Sequence, residues 1–318
     1  MFSRLLKENC VSKNMNIAGI TITLNDGYKL KEWQRWYEEY KGELGMHIIV
    51  DNGSEPDFIR ELKTYFRDSI IIERKSNGAC TIAYNDGIKK ALEDKSIDGI
   101  MLIGNDIRIK KGSITKLYEF LYSNEKLGIV SPVCLKKDSN VVEDYGARIT
   151  KFLTMDADDS GAGKRIEDIS ELSRFSETVL GGCCLAKPEF YEKVGLQDEK
   201  LFMYSDEVDT GIRARLAGFS LGYIREAVAW HQHINLGGGV MRSTMAPYLI
   251  CRNKVYLAKK HFGLSRVILV FLFQCANYSR LVIKNLGNCY VRRYYAFGIK
   301  GTIAGLLGNM SNDSQLWK

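Results

Sequence analysis

Residues 46–54 read Met46-His47-Ile48-Ile49-Val50-Asp51-Asn52-Gly53-Ser54, a short apolar run that stops on a turn signal. A run apolar at four of its five positions, broken only by His47 and closed by Asp51-Asn52-Gly53, reads as a buried strand and its turn, because glycine supplies backbone angles that other residues resist. On the N-terminal side, Lys29–Lys41 carries Leu30, Trp33, Trp36, Tyr37 and Tyr40 at helical spacing, and Ile20, Ile22 and Leu24 recur at period two, as a strand requires. On the C-terminal side, a polar helix-like stretch leads to a third strand at Ser69–Glu73. A helix around Ile82–Leu92, a fourth strand at Gly99–Ile103 and a helix at Ser113–Tyr122 follow. Strands alternating with helices over short connections predict an α/β fold with a mostly parallel central sheet flanked by helices. Such sheets bind ligands outside the carboxyl ends of their strands. Polar residues stand just past three of those ends, at Asn25-Asp26, Asp51-Asn52 and Asn105-Asp106.

Further along, Lys136–Glu177 is polar and acidic, and order resumes at Thr178–Ala186. Ser205–Gly218 reads as a helix with Val208, Ile212 and Leu216 on one face and Gly218 at the C-cap, followed by a strand at Leu221–Trp230. After Pro247 the chain turns basic, aromatic and apolar, which predicts a helical extension. The expected division is an N-terminal extension at 1–16, an α/β domain at 17–246 and a basic helical extension at 247–318.

Composition narrows the class. Of 318 residues, 45% are hydrophobic and 26% charged, a mix that supports a packed core rather than disorder. The net charge is +7, but residues 251–318 hold eleven Lys/Arg against the single acid Asp313. That tail carries +10 and leaves the first 250 residues at −3. A basic tail on a mildly acidic body points to an anionic neighbour. Dense Lys/Arg clustering of the kind that binds nucleic acid is absent, so an anionic membrane surface is the expected partner; helices packed on the same protein or on another subunit are the competing reading. The eight cysteines form no CxxC pair, which fits free thiols in a reducing cytoplasm. The longest apolar run, Val267–Ala276, is roughly half of what a membrane span needs, so a buried or interfacial helix is expected.

Three constellations are able to carry chemistry. Gly104-Asn105-Asp106 ends the fourth strand, where a carboxylate can hold a divalent metal against a diphosphate; the same residues also favour a plain turn. Asp206-Glu207-Val208-Asp209 opens a helix, where acids are stabilised by the helix dipole and Ser205 can cap, but where a carboxylate can equally serve as general base. His231 and His233 in Trp230-His231-Gln232-His233 point the same way from a strand. Asp156, Asp158, Ser160, Gly161 and Glu167 mimic a calcium loop, yet Gly163 and Lys164-Arg165 break that pattern. Gly161-Ala162-Gly163-Lys164 likewise fails as a phosphate loop.

In this order the motifs resemble the family 2 glycosyltransferases of the GT-A fold, particularly the rhamnosyltransferase-like branch, over roughly Ile17–Gly263. The matching stretches are Thr23-Leu24-Asn25-Asp26, Asp51-Asn52-Gly53-Ser54, Asn77-Gly78 with Asn85-Asp86-Gly87, and Gly104-Asn105-Asp106. They continue with Gly181-Gly182-Cys183-Cys184-Leu185, Val194–Glu199, Phe202–Asp209 and Arg252-Asn253. The resemblance implies inverting transfer of a sugar from a UDP- or dTDP-linked donor to a hydroxyl of a glycan or lipid-linked acceptor, in surface polysaccharide synthesis. It implies donor contacts from Thr23, Asn25, Asp51, Asn77, Asn85, Asn105 and Asp106. Mn²⁺ or Mg²⁺ would sit on Asp106 and His231. Gly181, Gly182 and Arg252 would meet the acceptor. The base is Glu207 or Asp206, since this chain reverses the family's Glu-Asp order, and Gly104 removes one carboxylate from the usual metal motif. A non-catalytic nucleotide-sugar-binding or scaffold protein is the alternative. A cytoplasmic protein, peripheral on the inner face of the membrane and able to self-associate through its extension, completes the expectation.

Overall fold

The computed structural model describes residues 15–149, 157–159, 161–232 and 240–317. They fall into two compact units. The first draws on Met1–Arg148, Asp159–Gln197 and Arg213–His233, and the second on Ile149–Asp158, Asp198–Ile212 and Ile234–Lys318.

The first unit begins as the sequence predicts, with β1 (Ile17–Thr23), α1 (Leu30–Tyr40), β2 (Met46–Asp51), α2 (Pro56–Tyr65), β3 (Ile70–Glu73), α3 (Ala79–Leu92) and β4 (Gly99–Ile103). β4, β1, β2 and β3 lie side by side and parallel. Period two does the sorting: Ile48 and Val50 of β2 pack with Ala18, Ile20, Ala83 and Ile88, while Ile49 between them joins Trp33, Trp36, Phe58 and Leu62. Burying such side chains contributes about 1.5–3 kcal/mol apiece, so a one-residue slip of β2 would forfeit both layers.

The chain continues through β5 (Ile107–Ile109), α4 (Ser113–Tyr122), β6 (Leu127–Lys136), β7 (Val142–Asp144), β8 (Ala147–Ile149), β9 (Ala157–Asp159), β10 (Ser173–Ser176), β11 (Cys183–Ala186), α5 (Pro188–Val194), α6 (Asp206–Leu216) and β12 (Ser220–His231). All of these strands but β8 and β9 join the sheet and make it mixed, in the order β10-β12-β6-β11-β4-β1-β2-β3, with β5 on β12 and β7 on β6. β11 runs antiparallel to both β4 and β6. It therefore starts where β4 ends, and the Gly104 amide donates to the Gly182 carbonyl at 2.6 Å. Ala157–Asp159 forms a strand, whereas Asp156 and Ser160 of the calcium-like pattern, like His233, lie outside the described residues.

One buried histidine gives this unit an acid sensitivity. His47 is 4% exposed, contacts Thr21 Oγ1 at 3.2 Å and Ser69 Oγ at 2.8 Å, and stacks on Tyr37. Burial pushes its pKa down to about 3. Between that value and the ordinary one near 6.5 the unfolded chain binds a proton that the native ring refuses, so stability falls as pH falls. Urea unfolding should show the wild type losing about 2 kcal/mol more than His47→Gln between pH 7 and pH 5. Equal losses would refute the assignment.

The second unit gathers α7 (Val240–Phe262), α8 (Leu264–Lys284) and α9 (Cys289–Leu306) with the Asp198–Ile212 segment. Its core joins Leu201, Val208 and Ile212 to Val255, Leu257, Val267 and Val270. Gly301 lets α9 lie directly on α7, since a Cβ there would sit 2.0 Å from the Tyr248 carbonyl oxygen. The helical run starts at Val240 and takes Pro247 inside α7.

Candidate active site

The carboxyl ends of the parallel strands are knitted together by side chains. Asp26 is the hub: its Oδ2 accepts from Thr23 Oγ1 at 3.0 Å, from the Leu24 amide at 3.1 Å and from Asn105 Nδ2 at 2.7 Å. Lys29, nearly buried, reaches Asn105 Oδ1 at 2.6 Å and Asp26 Oδ1 at 3.1 Å. Asn105 thus spends both ends of its amide on the end of β1 and is a strut rather than a donor contact. Asn25 takes a left-handed φ of 51° and its Oδ1 accepts from the Glu55 amide, which ties the first turn to the second.

The second turn shows why Asp-Asn-Gly-Ser occurs there. Asp51 Oδ2 accepts from the amides of Gly53 and Ser54, while Asn52 exchanges hydrogen bonds with the Gly78 amide and the Ala79 carbonyl. Gly53 has φ +89°, and a Cβ would lie 2.9 Å from Ser76 Cα, so only glycine fits. Asp51 is fully buried, and its Oδ1 has no hydrogen-bond partner among the described residues. An orphan carboxylate oxygen is costly and calls for a donor from outside the chain. Asn77 caps its own turn by accepting from the Ala79 amide. Asn85 does not face a ligand: it is 1% exposed and exchanges two 2.9 Å hydrogen bonds with the backbone of Gln197.

Asp106 and His231 do meet. The antiparallel pairing of β5 with β12 sets His231 opposite Ile107, and the Gln232 amide donates to the Asp106 carbonyl at 2.7 Å. His231 Nε2 then lies 3.4 Å from Asp106 Oδ2, and its Nδ1 lies 2.8 Å from Glu143 Oε1. Burial pulls the histidine down, but Asp106 and Glu143 outweigh it and raise its pKa to about 9. Burial pushes the Asp106 carboxyl up, and the hydrogen bond and charge of His231 together with Lys29 hold it below its ordinary value.

Among the described residues no three His, Cys, Asp or Glu side chains form a metal cage. The donor set nevertheless fits a divalent metal held jointly with a ligand. A separation of 3.4 Å suits two groups sharing one ion, and a metal-ligating histidine ordinarily hands its second nitrogen to a carboxylate, as here to Glu143. Mg²⁺-type sites commonly use one or two protein groups plus substrate phosphates. Gly104 leaves Asp106 as the only carboxylate of this turn, and a Cβ at 104 would stand 2.8 Å from Asp106 Oδ1, a side-chain tip that would have to turn aside. Beside it, a Cβ on Gly182 would meet nothing within 4 Å, so the chain itself does not demand glycine at that position.

The Asp206–Asp209 cluster belongs to the second unit except for the end of its helix. Asp209 is fully buried, and its Oδ1 is shared by Lys260 Nζ and His261 Nε2, each at 2.7 Å, which makes it an anchor of α6 on α7. Asp206 is pushed up to about 6, first by burial and then by the Asp209 charge, and it is hydrogen-bonded to Glu207. Glu207 is half-buried. The loop leading in is strained, with Phe202, Tyr204 and Ser205 at φ 65°, 69° and 63°.

Arg252 explains how that strain is held and corrects its expected role. It is fully buried. Its guanidinium donates to the carbonyls of Lys200 and Leu201 and, on the other side, to the Ser311 carbonyl and Asn312 Oδ1. It has no face left for an acceptor. Asn253 Nδ2 donates to the carbonyls of Leu201, Met203 and Tyr204 at 2.9–3.0 Å. Asn253→Ala should cost about 1–3 kcal/mol in urea unfolding, the penalty for stranded carbonyls, and lower kcat at least about tenfold with donor KM unchanged. Unchanged kcat in the folded variant would show that the loop tether is irrelevant to chemistry.

A mixed sheet with polar turns at the ends of its parallel strands, flanked by helices and followed by a helical C-terminal segment, is the GT-A glycosyltransferase fold. Residues 47–195, a little under half of the chain, match the family model described as glycosyl transferase family 2. It is 23% identical over 262 residues to the low-salt glycan biosynthesis hexosyltransferase Agl10 of Haloferax volcanii, covering 82% of each chain. Similar solved structures include GalNAc-T7 with UDP, GalNAc and Mn²⁺ (TM-score 0.58, 11% identity, 96% of this chain). Another is the mannosyltransferase PcManGT of Pyrobaculum calidifontis with GDP-Man and Mn²⁺ (TM-score 0.54, 14% identity, 96% of this chain and 92% of that one). The chain spans 59% of GalNAc-T7 and 44% of S. aureus TarS, a further structural neighbour at TM-score 0.52 and 11% identity.

Proposed function

We propose that this protein transfers a hexosyl or deoxyhexosyl group, with inversion, from a nucleotide-diphosphate sugar to a hydroxyl of a glycan or lipid-linked acceptor. The work is assigned to the inner face of the cell membrane, in surface glycan synthesis. The observation that carries the reading is the Asp106–His231–Glu143 line at the carboxyl end of β4. In that line Asp106 and His231 would hold Mn²⁺ or Mg²⁺, and Glu143 fixes the histidine tautomer so that Nε2 faces the ion. Bound there, the ion would stabilise the diphosphate as negative charge develops on it.

The remaining roles fall to the chain itself. Asp51 Oδ1, buried without a partner, accepts from an imide N–H of the donor base, which suits uracil or thymine. Gly181 and Gly182 leave room for the acceptor. Glu207 takes the acceptor proton, and Asp206 beside it tunes that carboxylate. Support for hexosyl chemistry comes from the Agl10 similarity, and support for a nucleotide donor with Mn²⁺ comes from the ligands named for GalNAc-T7 and PcManGT.

The test is thermal unfolding of the purified protein against UDP-, dTDP- and GDP-linked sugars with and without Mn²⁺, followed by product analysis. A ligand that binds only the native state raises the melting temperature, and a metal-dependent rise with a uridine or thymidine donor is expected. Donor binding without transfer to any acceptor, unchanged by Glu207→Gln and Asp206→Asn, would instead establish a non-catalytic nucleotide-sugar-binding protein.

A further inference from the structure

The second unit leaves one face of α8 uncovered. Val267, Val270 and Gln274 point inward, and Gln274 Oε1 accepts from Thr302 Oγ1 at 3.0 Å. On the outward side Leu264 (73% exposed), Ile268, Leu269, Leu272 (57%), Phe273 and Ile283 (66%) stand in solvent. At 3.6 residues per turn these positions share one broad arc, and Arg280 and Lys284 border it on one flank. Leu286 and Tyr290 continue the exposed apolar surface toward α9.

Charge decides what covers it. From Ala227 to Asn312 the sequence contains no Asp or Glu, while α8 and α9 contribute Arg266, Arg280, Lys284, Arg292, Arg293 and Lys300. A second copy would bring identical patches together in a two-fold contact and set cation against cation. A bilayer carrying anionic phospholipid offers an apolar layer for the leucines and opposite charge for the flank.

α8 is, among the described residues, the one helix long and apolar enough to cross a membrane, at 21 residues. It carries Arg266, Gln274, Arg280 and Lys284, however, and its Val267–Gln274 side is committed to protein. It is suited to lying in the interface rather than spanning. We propose that the exposed face of α8 seats in the headgroup–acyl boundary of an anionic bilayer, with Leu264, Ile268, Leu272 and Phe273 as the inserted residues. This deepens the membrane placement proposed above. Vesicle binding needs neither donor nor acceptor, so it and the transferase reading fail separately.

The test is flotation of the full chain with phosphatidylcholine vesicles, with and without about one-third phosphatidylglycerol. The wild type should float with the anionic vesicles only. Leu272→Ser with Phe273→Ser should weaken partitioning at least about tenfold, because two inserted side chains are lost. Arg280→Glu with Lys284→Glu should weaken it and flatten its salt dependence. All four sites are solvent-facing, so melting temperatures should stay at the wild-type value and report an intact fold. Wild type that stays with the pellet, or variants that float like wild type, would overturn the proposal. So would a dimer by light scattering that Leu272→Ser dissolves in the absence of flotation, which would assign the face to a second copy.

Discussion

Glu207→Gln should lower kcat for sugar transfer by about 10³-fold while leaving donor KM within about threefold, since a general base contributes 10²–10⁴ to the rate and little to donor binding. The sign of the pH dependence follows from the carboxyl pair. Asp206 is raised to about 6 by burial and by Asp209, and a base works only when ionised. Rate should therefore climb as pH rises through about 6 and be lost below it. The limb belongs to the Asp206–Glu207 pair as a unit. Asp206→Asn removes one member, so it should move that limb toward the ordinary carboxylate range and lower kcat less than Glu207→Gln does. If Asp206→Asn abolishes activity and Glu207→Gln does not, the buried residue is the base. The same burial predicts an opposite effect on stability. An ionised Asp206 is favoured in the unfolded chain, so the native state loses stability as pH rises from about 4 to about 6.

Asp106→Asn should abolish the Mn²⁺-dependent part of donor binding and reduce kcat/KM by about 10²–10³-fold, because the residue supplies the only carboxylate of the strand-end motif. Titration calorimetry of Mn²⁺ in the presence of nucleoside diphosphate reads this without turnover. Glu143→Gln, which keeps a hydrogen-bond acceptor but removes the charge, should weaken Mn²⁺ affinity about 10–100-fold, the usual cost of losing a carboxylate behind a metal-bound histidine. Wild-type affinity in both variants would remove the metal from Asp106 and His231.

Much of the site was legible in residue order because it is made of strand ends. Asp51-Asn52-Gly53-Ser54 and Gly104-Asn105-Asp106 stop apolar runs, and the parallel sheet gathers such stops on one edge. Legibility failed where a motif residue serves the backbone. Asn85, Asn105 and Arg252 stand in matching stretches, yet each uses its polar atoms on neighbouring chain, and sequence spacing does not distinguish a polar side chain aimed at a ligand from one aimed at a carbonyl. It failed too for Glu143, one acid in a long acidic stretch, which reaches His231 across 88 positions.

What the sequence determined by itself is local. Period two and period 3.6 set β1–β4 and α1–α4, glycine at 53 closed the second turn, and a tail with eleven bases against the single acid Asp313 made the C-terminal segment cationic. Tertiary structure alone decided the pairings. The register of β5 on β12 brings His231 to Asp106. Antiparallel entry of β11 puts Gly182 beside Gly104. Docking of Arg252 and Asn253 under residues 200–204 holds a strained loop no local preference would choose. Packing of α7, α8 and α9 decided which leucines of the +10 tail stay in solvent. Each is a contact between residues distant in sequence, and only the burial of shared apolar surface brings such residues together.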